Sequence, residues 1–417
     1  MVTPIMRFTS IIALVASVLL LRDATSSAAQ IPSSRVPDGL GVNIHFDHPQ
    51  PGEFDMLLAA GFRISRTDIL WNQSELKRGE YDFSRWDELF ALYDKHHVRA
   101  LCPLLYTNPL YDDNLSPHSD EGVAAFAKWA AAAVEHFKGR GVMWEIYNEP
   151  NNVFWRPQPD VNAYIKLALA TAREIRKVAP GEMIVGPALS GTDSAYLEPC
   201  YKAGLLEYFD AVTVHPYGNE PPEDRERHYR GVRKLIDKYQ PKGKSIPIFS
   251  GEWGYSSAMF PPEQQAKLLA RQWLFNLSQN IPVSIWYDWR DDGTDPHNVE
   301  HRFGVVENAY AKDRTPPLTP KPAYHAAKTL TTQLDGFTFT KRLPMESKDD
   351  FVLLFTRGDE TRIAAWTKSD KPRTISFPLA WGRVRVTNFL GHPSADIPIQ
   401  DGKVIIELSD GPKYLRP

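Results

Sequence analysis

Eight short apolar runs alternate with amphipathic stretches between about residues 38 and 334 of this 417-residue chain. The runs are residues 40–46, 62–69, 98–105, 142–147, 183–188, 211–215, 246–250 and 283–287. Several are almost continuously apolar, which is typical of parallel strands buried on both faces. Eight such alternations predict a (β/α)8 TIM barrel of the α/β class. A doubly wound open sheet is the alternative, but no GxGxxG or Walker loop follows any of the runs.

Two of the intervening stretches carry strong helix signals. One runs from Ser119 to Lys138 with its apolar residues on a single stripe. Another begins after Asp160, a residue type that caps helix N-termini, and ends before Pro180. A last helix over residues 323–334 is expected to close the barrel.

The pattern changes near residue 335. Short alternating runs follow, separated by turn residues, over residues 337–342, 351–356, 362–367, 374–377, 383–388 and 404–408. They predict a small antiparallel β-sandwich over residues 335–417, after a barrel domain over residues 30–334. Trp366 and Trp381 are too few and too scattered for a carbohydrate-binding platform, so we expect this accessory domain to pack against the barrel and stabilise it.

The N-terminus has the layout of a signal peptide over residues 1–29. Arg7 precedes an apolar run over residues 11–21, and small residues follow it. We expect cleavage before Gln30 and export to the periplasm or the extracellular space. The alternative is that the segment stays as a membrane anchor.

The only cysteines are Cys102, in a strand-like run, and Cys200, in a helix-like run, and we expect two buried free thiols.

The balance of charge narrows the classes of partner. A net charge of −3 with interspersed acids and bases argues against a nucleic-acid groove or a polybasic membrane surface. No run after the N-terminal segment is long enough to span a bilayer, so we expect no stable membrane insertion. We expect a monomer.

Two glutamates follow strand-like runs at positions where barrel enzymes carry their chemistry. The fourth run leads to Glu149 and the seventh to Glu252, and active sites lie at the carboxyl ends of barrel strands. Strands four and seven stand nearly opposite each other, so the two carboxylates can face each other across a gap the size of a sugar. Hydrolysis of a glycosidic bond needs two such carboxyl groups. The alternatives are rim ion pairs, or Glu145 in place of Glu149, although Glu145 lies deeper and would need a buried partner.

The segments around these glutamates resemble clan A of the glycoside hydrolases, and most nearly the family 39-like and family 5-like enzymes. The resemblance rests on Asn148-Glu149-Pro150, on Gly251-Glu252-Trp253, and on the block over residues 79–86, and it covers about residues 36–334. It implies a retaining hydrolase of β-linked poly- or oligosaccharide that acts through a covalent glycosyl-enzyme intermediate. By the resemblance, Glu149 is the acid/base and Glu252 the nucleophile. We therefore expect a raised pKa for Glu149 and an ionised Glu252.

Further residues are predicted to bind the substrate. The resemblance assigns Asn148 to the sugar 2-hydroxyl, and His215 and Tyr217 to contacts with the sugar and the nucleophile. Arg66, nearer the catalytic end of its strand than Arg63, is expected to keep the nucleophile ionised. The expected aromatic walls of the cleft are Trp289 in preference to Trp286 as the sugar platform, together with Trp155, Tyr106, Trp253 and Trp71.

No cofactor and no metal are expected, because the acidic and histidine residues near positions 47–48 and 291–301 lack the spacing of a strong metal site. Three other functions stay open at this point. They are a non-catalytic carbohydrate-binding barrel, a metal-dependent hydrolase on the same fold, and a transglycosylase that uses the same residues.

Overall fold

The computed structural model describes residues 30–308 and 318–417. The signal peptide predicted for residues 1–29 lies outside the described residues. Parallel strands form a closed barrel, and they are β1 (Leu40–Ile44), β2 (Ile64–Thr67), β3 (Arg99–Leu105), β4 (Met143–Ile146), β5 (Met183–Ser190), β6 (Ala211–His215), β7 (Ile248–Trp253) and β8 (Ser284–Trp286). β1 pairs with both β2 and β8, which closes the ring. The predicted TIM barrel is confirmed.

Each barrel strand is followed by a helix on the outside. The helices are α1 (Glu53–Ala59), α2 (Ser84–His96), α3 (Asp120–His136), α4 (Val161–Val178), α5 (Ser194–Lys202), α6 (Glu226–Tyr239), α7 (Pro262–Ser278) and α8 (Pro322–Gln333). Asp160 caps α4 as the sequence predicts, since it accepts from the backbone N–H groups of Asn162 and Ala163. Ser119 caps α3 in the same way and accepts from the backbone N–H of Gly122. α8 packs on the end of α1, where its Tyr324 hydroxyl donates to the carbonyl of Met56.

Shorter elements complete the barrel domain. A two-residue strand, Ile69–Leu70, continues β2 along β3. The short α-helices are Trp71–Ser74 and Leu205–Tyr208, and the 3-10 turns are Asp112–Asn114, Pro222–Arg225 and Val299–Arg302. A strand Val306–Asn308 pairs antiparallel with Leu318–Pro320 between β8 and α8.

Side chains that point into the barrel form layers. The lower layers are apolar and consist of Ile64, Leu101, Met143, Met183, Val185, Ala211, Phe249, Val283 and Ile285. Because successive residues of a strand point to opposite faces, the next inward residues lie two positions further along. These include Arg66, Glu145, Thr213, Gly251 and Tyr287, together with Pro103 of β3. An apolar floor therefore supports a polar layer at the carboxyl end of the barrel.

The C-terminal region forms two antiparallel sheets around an apolar core. Its strands are β9 (Thr338–Arg342), β10 (Asp350–Arg357), β11 (Glu360–Thr367), β12 (Arg373–Pro378), β13 (Arg383–Asn388), β14 (Lys403–Leu408) and β15 (Lys413–Arg416), with a short strand Ile397–Pro398. The larger sheet has the order β9-β10-β11-β15-β13 followed by the short strand, and β12 pairs with β14 in the smaller sheet. The sequence did not predict β15, which lies in the centre of the larger sheet.

A buried polar cluster joins this region to the barrel. Arg271 of α7 donates from Nε and Nη2 to both oxygens of Glu223, at 2.9 and 2.6 Å. The indole N–H of Trp366 in β11 donates to the same carboxylate at 2.7 Å. Glu223 and Arg271 are buried, and Trp366 is fully buried. The small domain thus supplies one donor to an ion pair of the barrel.

Two further observations bear on the predictions. Cys102 and Cys200 are both buried and free, in agreement with the expected thiols. In the described part of the chain, no helix is long and apolar enough to cross a bilayer.

Candidate active site

Glu149 and Glu252 approach each other at the carboxyl end of the barrel. Glu149 lies three residues beyond β4, and Glu252 is the last residue but one of β7. One oxygen of each carboxylate and Nδ1 of His215 all lie within 4.8 Å of one another. Tyr147 and Glu149 have positive φ angles of 67° and 45°, a conformation that costs non-glycine residues about 1–3 kcal/mol each. Such strain is found where function requires a side chain in a particular direction.

Two donors hold the carboxylate of Glu252, one on each oxygen. Nη1 of Arg66 donates to Oε2 at 2.6 Å, and the hydroxyl of Tyr217 donates to Oε1 at 2.8 Å. Arg66 is 3% exposed. Both partners donate hydrogen bonds, and one of them is a buried cation, so the carboxylate is held in one position by a donor on each oxygen.

Arg66 is the centre of the polar layer. Its Nη1 also donates to Oδ1 of Asn43 at 3.0 Å, and its Nη2 donates to Oε1 of Glu145 and to Oδ1 of Asn148, both at 2.7 Å. Burial lowers the pKa of Arg66, but the carboxylates of Glu145 and Glu252 raise it by more, so the net shift is upward. The guanidinium therefore stays charged, and both Nη1 and Nη2 donate hydrogen bonds to side chains of the site.

His215 and Asn152 hold Glu149. Nδ1 of His215 lies 2.9 Å from Oε1, and the amide of Asn152 donates to Oε2 at 3.0 Å. Burial raises the pKa of Glu149, but the hydrogen bond and charge of His215, with Asn152 and Arg66, lower it by more, so it lies below its ordinary value. The expectation of a raised pKa is therefore wrong for the free protein.

The reason is the imidazole of His215, whose Nδ1 lies 2.9 Å from Glu149 and 4.0 Å from Glu252. The sequence predicts His215 at the site but does not predict its position between the two carboxylates. Burial lowers the pKa of His215, but Glu252 and Glu149 raise it by more, so the net shift is upward. The imidazole thus competes with Glu149 for a proton, and the two groups are best regarded as one proton-binding pair.

Asn148 and Tyr106 extend the site on the side of β3 and β4. The amide of Asn148 donates to the Tyr106 hydroxyl at 3.0 Å. The ring of Tyr106 stacks on that of Phe154, with centroids 5.7 Å apart and an interplanar angle of 12°. Phe154 is 40% exposed. The structure therefore brings Tyr106 to the site, next to an exposed aromatic face that the sequence did not single out.

The predicted tryptophan walls lie elsewhere. Trp289, Trp286, Trp253 and Trp71 are at most 1% exposed, and Trp155 is 2% exposed. The indole N–H of Trp289 donates to Glu53 of α1, and its ring lies against Phe62 and Tyr324. The prediction that Trp289 is the sugar platform is wrong, because the chain turns after β8 and directs this residue into the helix layer.

Trp286 and Trp155 also point away from the cleft in which the sequence analysis expected them. Trp286 points to the outer face of β8, since Ile285 points into the barrel, and its N–H donates to the carbonyl of Phe303. Trp155 packs between Tyr147 and Tyr164 in the core. Neither residue lines the cleft, and both predictions are corrected.

The aromatic residue at the mouth of the barrel on this side is Tyr287, which directly follows β8. Its ring lies 5.6 Å from that of His45, 6.5 Å from that of Tyr217 and 5.3 Å from that of Phe303, measured between centroids. The alternation of side chains could have found it, because Tyr287 lies two positions after the inward-pointing Ile285.

A second group of titratable side chains lies beside the site. Nδ1 of His45 is 3.6 Å from Oδ2 of Asp288 and 3.2 Å from Oδ2 of Asp292. Nε2 of His45 contacts the amide of Asn43 at 2.9 Å, which links this group to Arg66. In the described ranges, these three residues and the trio of Glu149, His215 and Glu252 have the ligand atoms that a metal ion would need within 4.8 Å of one another.

A closed barrel with two carboxylates at its mouth, one held by donors and one paired with a histidine, is the arrangement of a glycoside hydrolase. Comparison with known protein families also indicates a glycoside hydrolase. The sequence model of the family "Cellulase (glycosyl hydrolase family 5)" matches residues 82–293, about half of the chain. The chain therefore belongs to glycosyl hydrolase family 5, and the resemblance to clan A is confirmed.

Individual relatives are more distant. A β-xylosidase of Geobacillus stearothermophilus is 28% identical over 187 residues, which are 38% of this chain and 36% of that protein. The chain therefore spans about a third of that relative's length. A β-1,4-xylanase of Dictyoglomus thermophilum is 23% identical over 304 residues, 71% of this chain and 77% of that protein.

The fold has relatives among solved structures. A family 39 glycoside hydrolase from the gut symbiont Bacteroides cellulosilyticus WH2 superposes with a TM-score of 0.79 at 24% identity. The match covers 91% of this chain and 80% of that one. It shows that barrel and C-terminal sheets recur together in another glycoside hydrolase.

Proposed function

We propose that this protein is a retaining glycoside hydrolase in which Glu252 is the nucleophile and Glu149 the general acid/base. The observation that carries the proposal is the short distance between the two carboxylates, whose nearest oxygens lie within 4.8 Å. Retaining enzymes hold these groups about 5–5.5 Å apart, whereas inverting enzymes need about 6.5–9.5 Å to admit a water molecule between them. The contacts of each glutamate support its role.

In the first step, an oxygen of Glu252 attacks the anomeric carbon of the sugar. The glycosidic bond breaks, its electron pair goes to the leaving oxygen, and Glu149 gives that oxygen a proton. Arg66 and Tyr217 hold Glu252 in position for attack, which removes the need to order it during the reaction. Asn148, fixed between Arg66 and Tyr106, is proposed to bind the sugar 2-hydroxyl.

In the second step, water attacks the anomeric carbon of the glycosyl-enzyme. Glu149, now a carboxylate, takes the proton of the water, and the bond to Glu252 breaks with its electron pair returning to the carboxylate. His215 contacts Glu149 throughout and shares the proton that Glu149 gains and loses. Both substitutions invert the anomeric carbon, so the product keeps the configuration of the substrate.

The proposed substrates are β-linked poly- or oligosaccharides that contain xylose. The two sequence relatives are named a β-xylosidase and a β-1,4-xylanase, and this shared sugar is the basis for the proposal.

We further propose that the protein is exported through the predicted signal peptide and acts as a monomer. N-terminal sequencing of the protein from the growth medium would test export, with Gln30 as the expected first residue.

Azide rescue tests the two roles separately. Replacing Glu252 by Ala is expected to abolish hydrolysis of an aryl β-xyloside, and azide is expected to restore turnover with an α-glycosyl azide as product. Replacing Glu149 by Ala is expected to slow the second step, with azide giving the β-glycosyl azide. The matched control is Glu80→Ala, because Glu80 is an exposed glutamate whose loss should leave the rate unchanged. A β-azide from the Glu252 variant would contradict the assignment.

A further inference from the structure

Three buried polar atoms beneath the candidate active site have no hydrogen-bond partner among the described residues. They are Oε2 of Glu145, Oγ1 of Thr213 and Nε2 of His215. All three residues are 0% exposed. Leaving one buried polar atom unpaired costs about 1–3 kcal/mol. Three such atoms in one layer of the barrel therefore call for a common partner.

The surroundings of Gly251 show that the side chains of these three residues lie around one small space. A Cβ atom on this glycine would lie 3.2 Å from Oε2 of Glu145, 3.5 Å from Nε2 of His215 and 3.3 Å from Cβ of Thr213. No side chain of the described residues bridges them. Glycine at this position keeps the three groups within reach of a molecule no larger than water.

We propose that a water molecule binds between Glu145, Thr213 and His215, and that Glu145 acts through it to hold the proton shared by His215 and Glu149. Buried waters typically make about three hydrogen bonds to polar atoms that lack other partners. Here the water would donate to Glu145 and accept from Nε2–H of His215, with the Thr213 hydroxyl as the third partner. The inference rests on the proposed function, in which Glu149 is the acid/base.

The charged groups around His215 explain how Glu145 can affect the proton that His215 shares with Glu149. Glu149 after β4 and Glu252 of β7 face it as anions, and Arg66 of β2 faces it as a cation. Glu145 of β4 adds a buried carboxylate on the side of Nε2. A carboxylate on that side would favour the protonated imidazole, in addition to Glu252 and Glu149, which together raise the pKa of His215 against the effect of burial. Glu145 is thus a positioning residue, which acts on Glu149 through His215.

The kinetic test is Glu145→Gln, which keeps the shape and an oxygen for Arg66 but removes the charge. The shared proton should then be lost at lower pH, so the basic limb of kcat/KM for xylobiose should move down by about one pH unit. A dinitrophenyl β-xyloside needs no proton on its leaving group, so its kcat/KM should stay within about twofold. Equal losses on both substrates would overturn the proposal, because they would place the effect on Glu252 through Arg66.

The matched control is Glu223→Gln, at another buried glutamate, which is paired with Arg271 instead of Arg66. It should lower the melting temperature without moving the basic limb of the pH profile of kcat/KM.

A milder pair of variants is Thr213→Val and Thr213→Ser. Only the valine variant removes a partner of the water, so only it should shift the limb; shifts in both, or in neither, would count against the water.

Two measurements on the unmodified protein keep the inference testable if the variants do not fold. A high-resolution crystal structure should contain a water within hydrogen-bonding distance of all three atoms, and 15N NMR should find His215 protonated on Nε2. A direct Glu145–His215 contact, or an Nε2 without a proton, would overturn the inference. Absence of glycosidase activity would refute the proposed function and leave these two measurements interpretable.

Discussion

Arg66 can be replaced by Met to remove the guanidinium while most of the side-chain volume is kept. The change leaves Glu145 and Glu252 without their shared cation and leaves the amide oxygens of Asn43 and Asn148 without a donor. Removing one partner of a buried ion pair costs about 3–5 kcal/mol. This is a large part of the 5–15 kcal/mol by which proteins are usually stable, so the melting temperature should fall by about 5 °C or more.

The matched control for Arg66 is Arg63, three residues earlier in the chain. Arg63→Met removes a guanidinium that, among the described residues, donates to the backbone carbonyls of Leu58 and Phe62, so its cost should stay below about 1.5 kcal/mol. Calorimetry and kcat/KM on an aryl β-xyloside are measured for both variants. The Arg66 variant should lose at least a hundredfold in kcat/KM, and the Arg63 variant less than threefold. Equal effects of the two changes would refute the assignment of Arg66 as the centre of the site.

Three other changes give distinct results. Tyr217→Phe removes one donor to Glu252 and should lower kcat/KM about tenfold or more, since hydrogen bonds to charged groups contribute about 1.5–3 kcal/mol; an unchanged rate would count against that contact. Trp366→Phe removes the donor to Glu223, so scanning calorimetry should show a lower melting temperature with unchanged KM. Asp288 has a pKa well above its ordinary value, mainly because of burial and then because of Asp292. A raised folded-state pKa means that stability is lost as pH rises, so Asp288→Asn should raise the melting temperature more at pH 7 than at pH 4, and the reverse order would contradict this reasoning.

The barrel was predictable because its strands are buried on both faces. Runs such as residues 98–105 and 211–215 read as continuous apolar segments, and the structure places strands there with nearly the same bounds. β15 was missed because its four residues, Lys413–Arg416, are too few and too polar to stand out. Its place in the centre of a sheet depends on pairing with β11 and β13, which no local pattern reveals.

The site was predictable where it follows the alternation of a strand. Arg66, His215 and Tyr217 lie near strand ends, and the structure brings all three into contact with the two glutamates. Trp289 was misplaced because the regular strand ends at Trp286, and three residues further along the alternation of side chains no longer gives a direction. The lowered pKa of Glu149 depends on the imidazole of His215, which is 66 residues away in the chain but 2.9 Å away in space. No local sequence pattern reveals this contact.

Mechanism-based trapping tests the central claim most directly. The protein is incubated with a 2-deoxy-2-fluoro-β-xyloside that carries a dinitrophenyl leaving group, and the intact mass and peptide map are recorded. The expected result is one fluoroxylosyl group per chain, attached to the peptide that contains Glu252, with activity recovering as the adduct turns over. Label on Glu149 or on any other residue, or hydrolysis without any covalent adduct, would contradict a retaining mechanism that uses Glu252 as nucleophile.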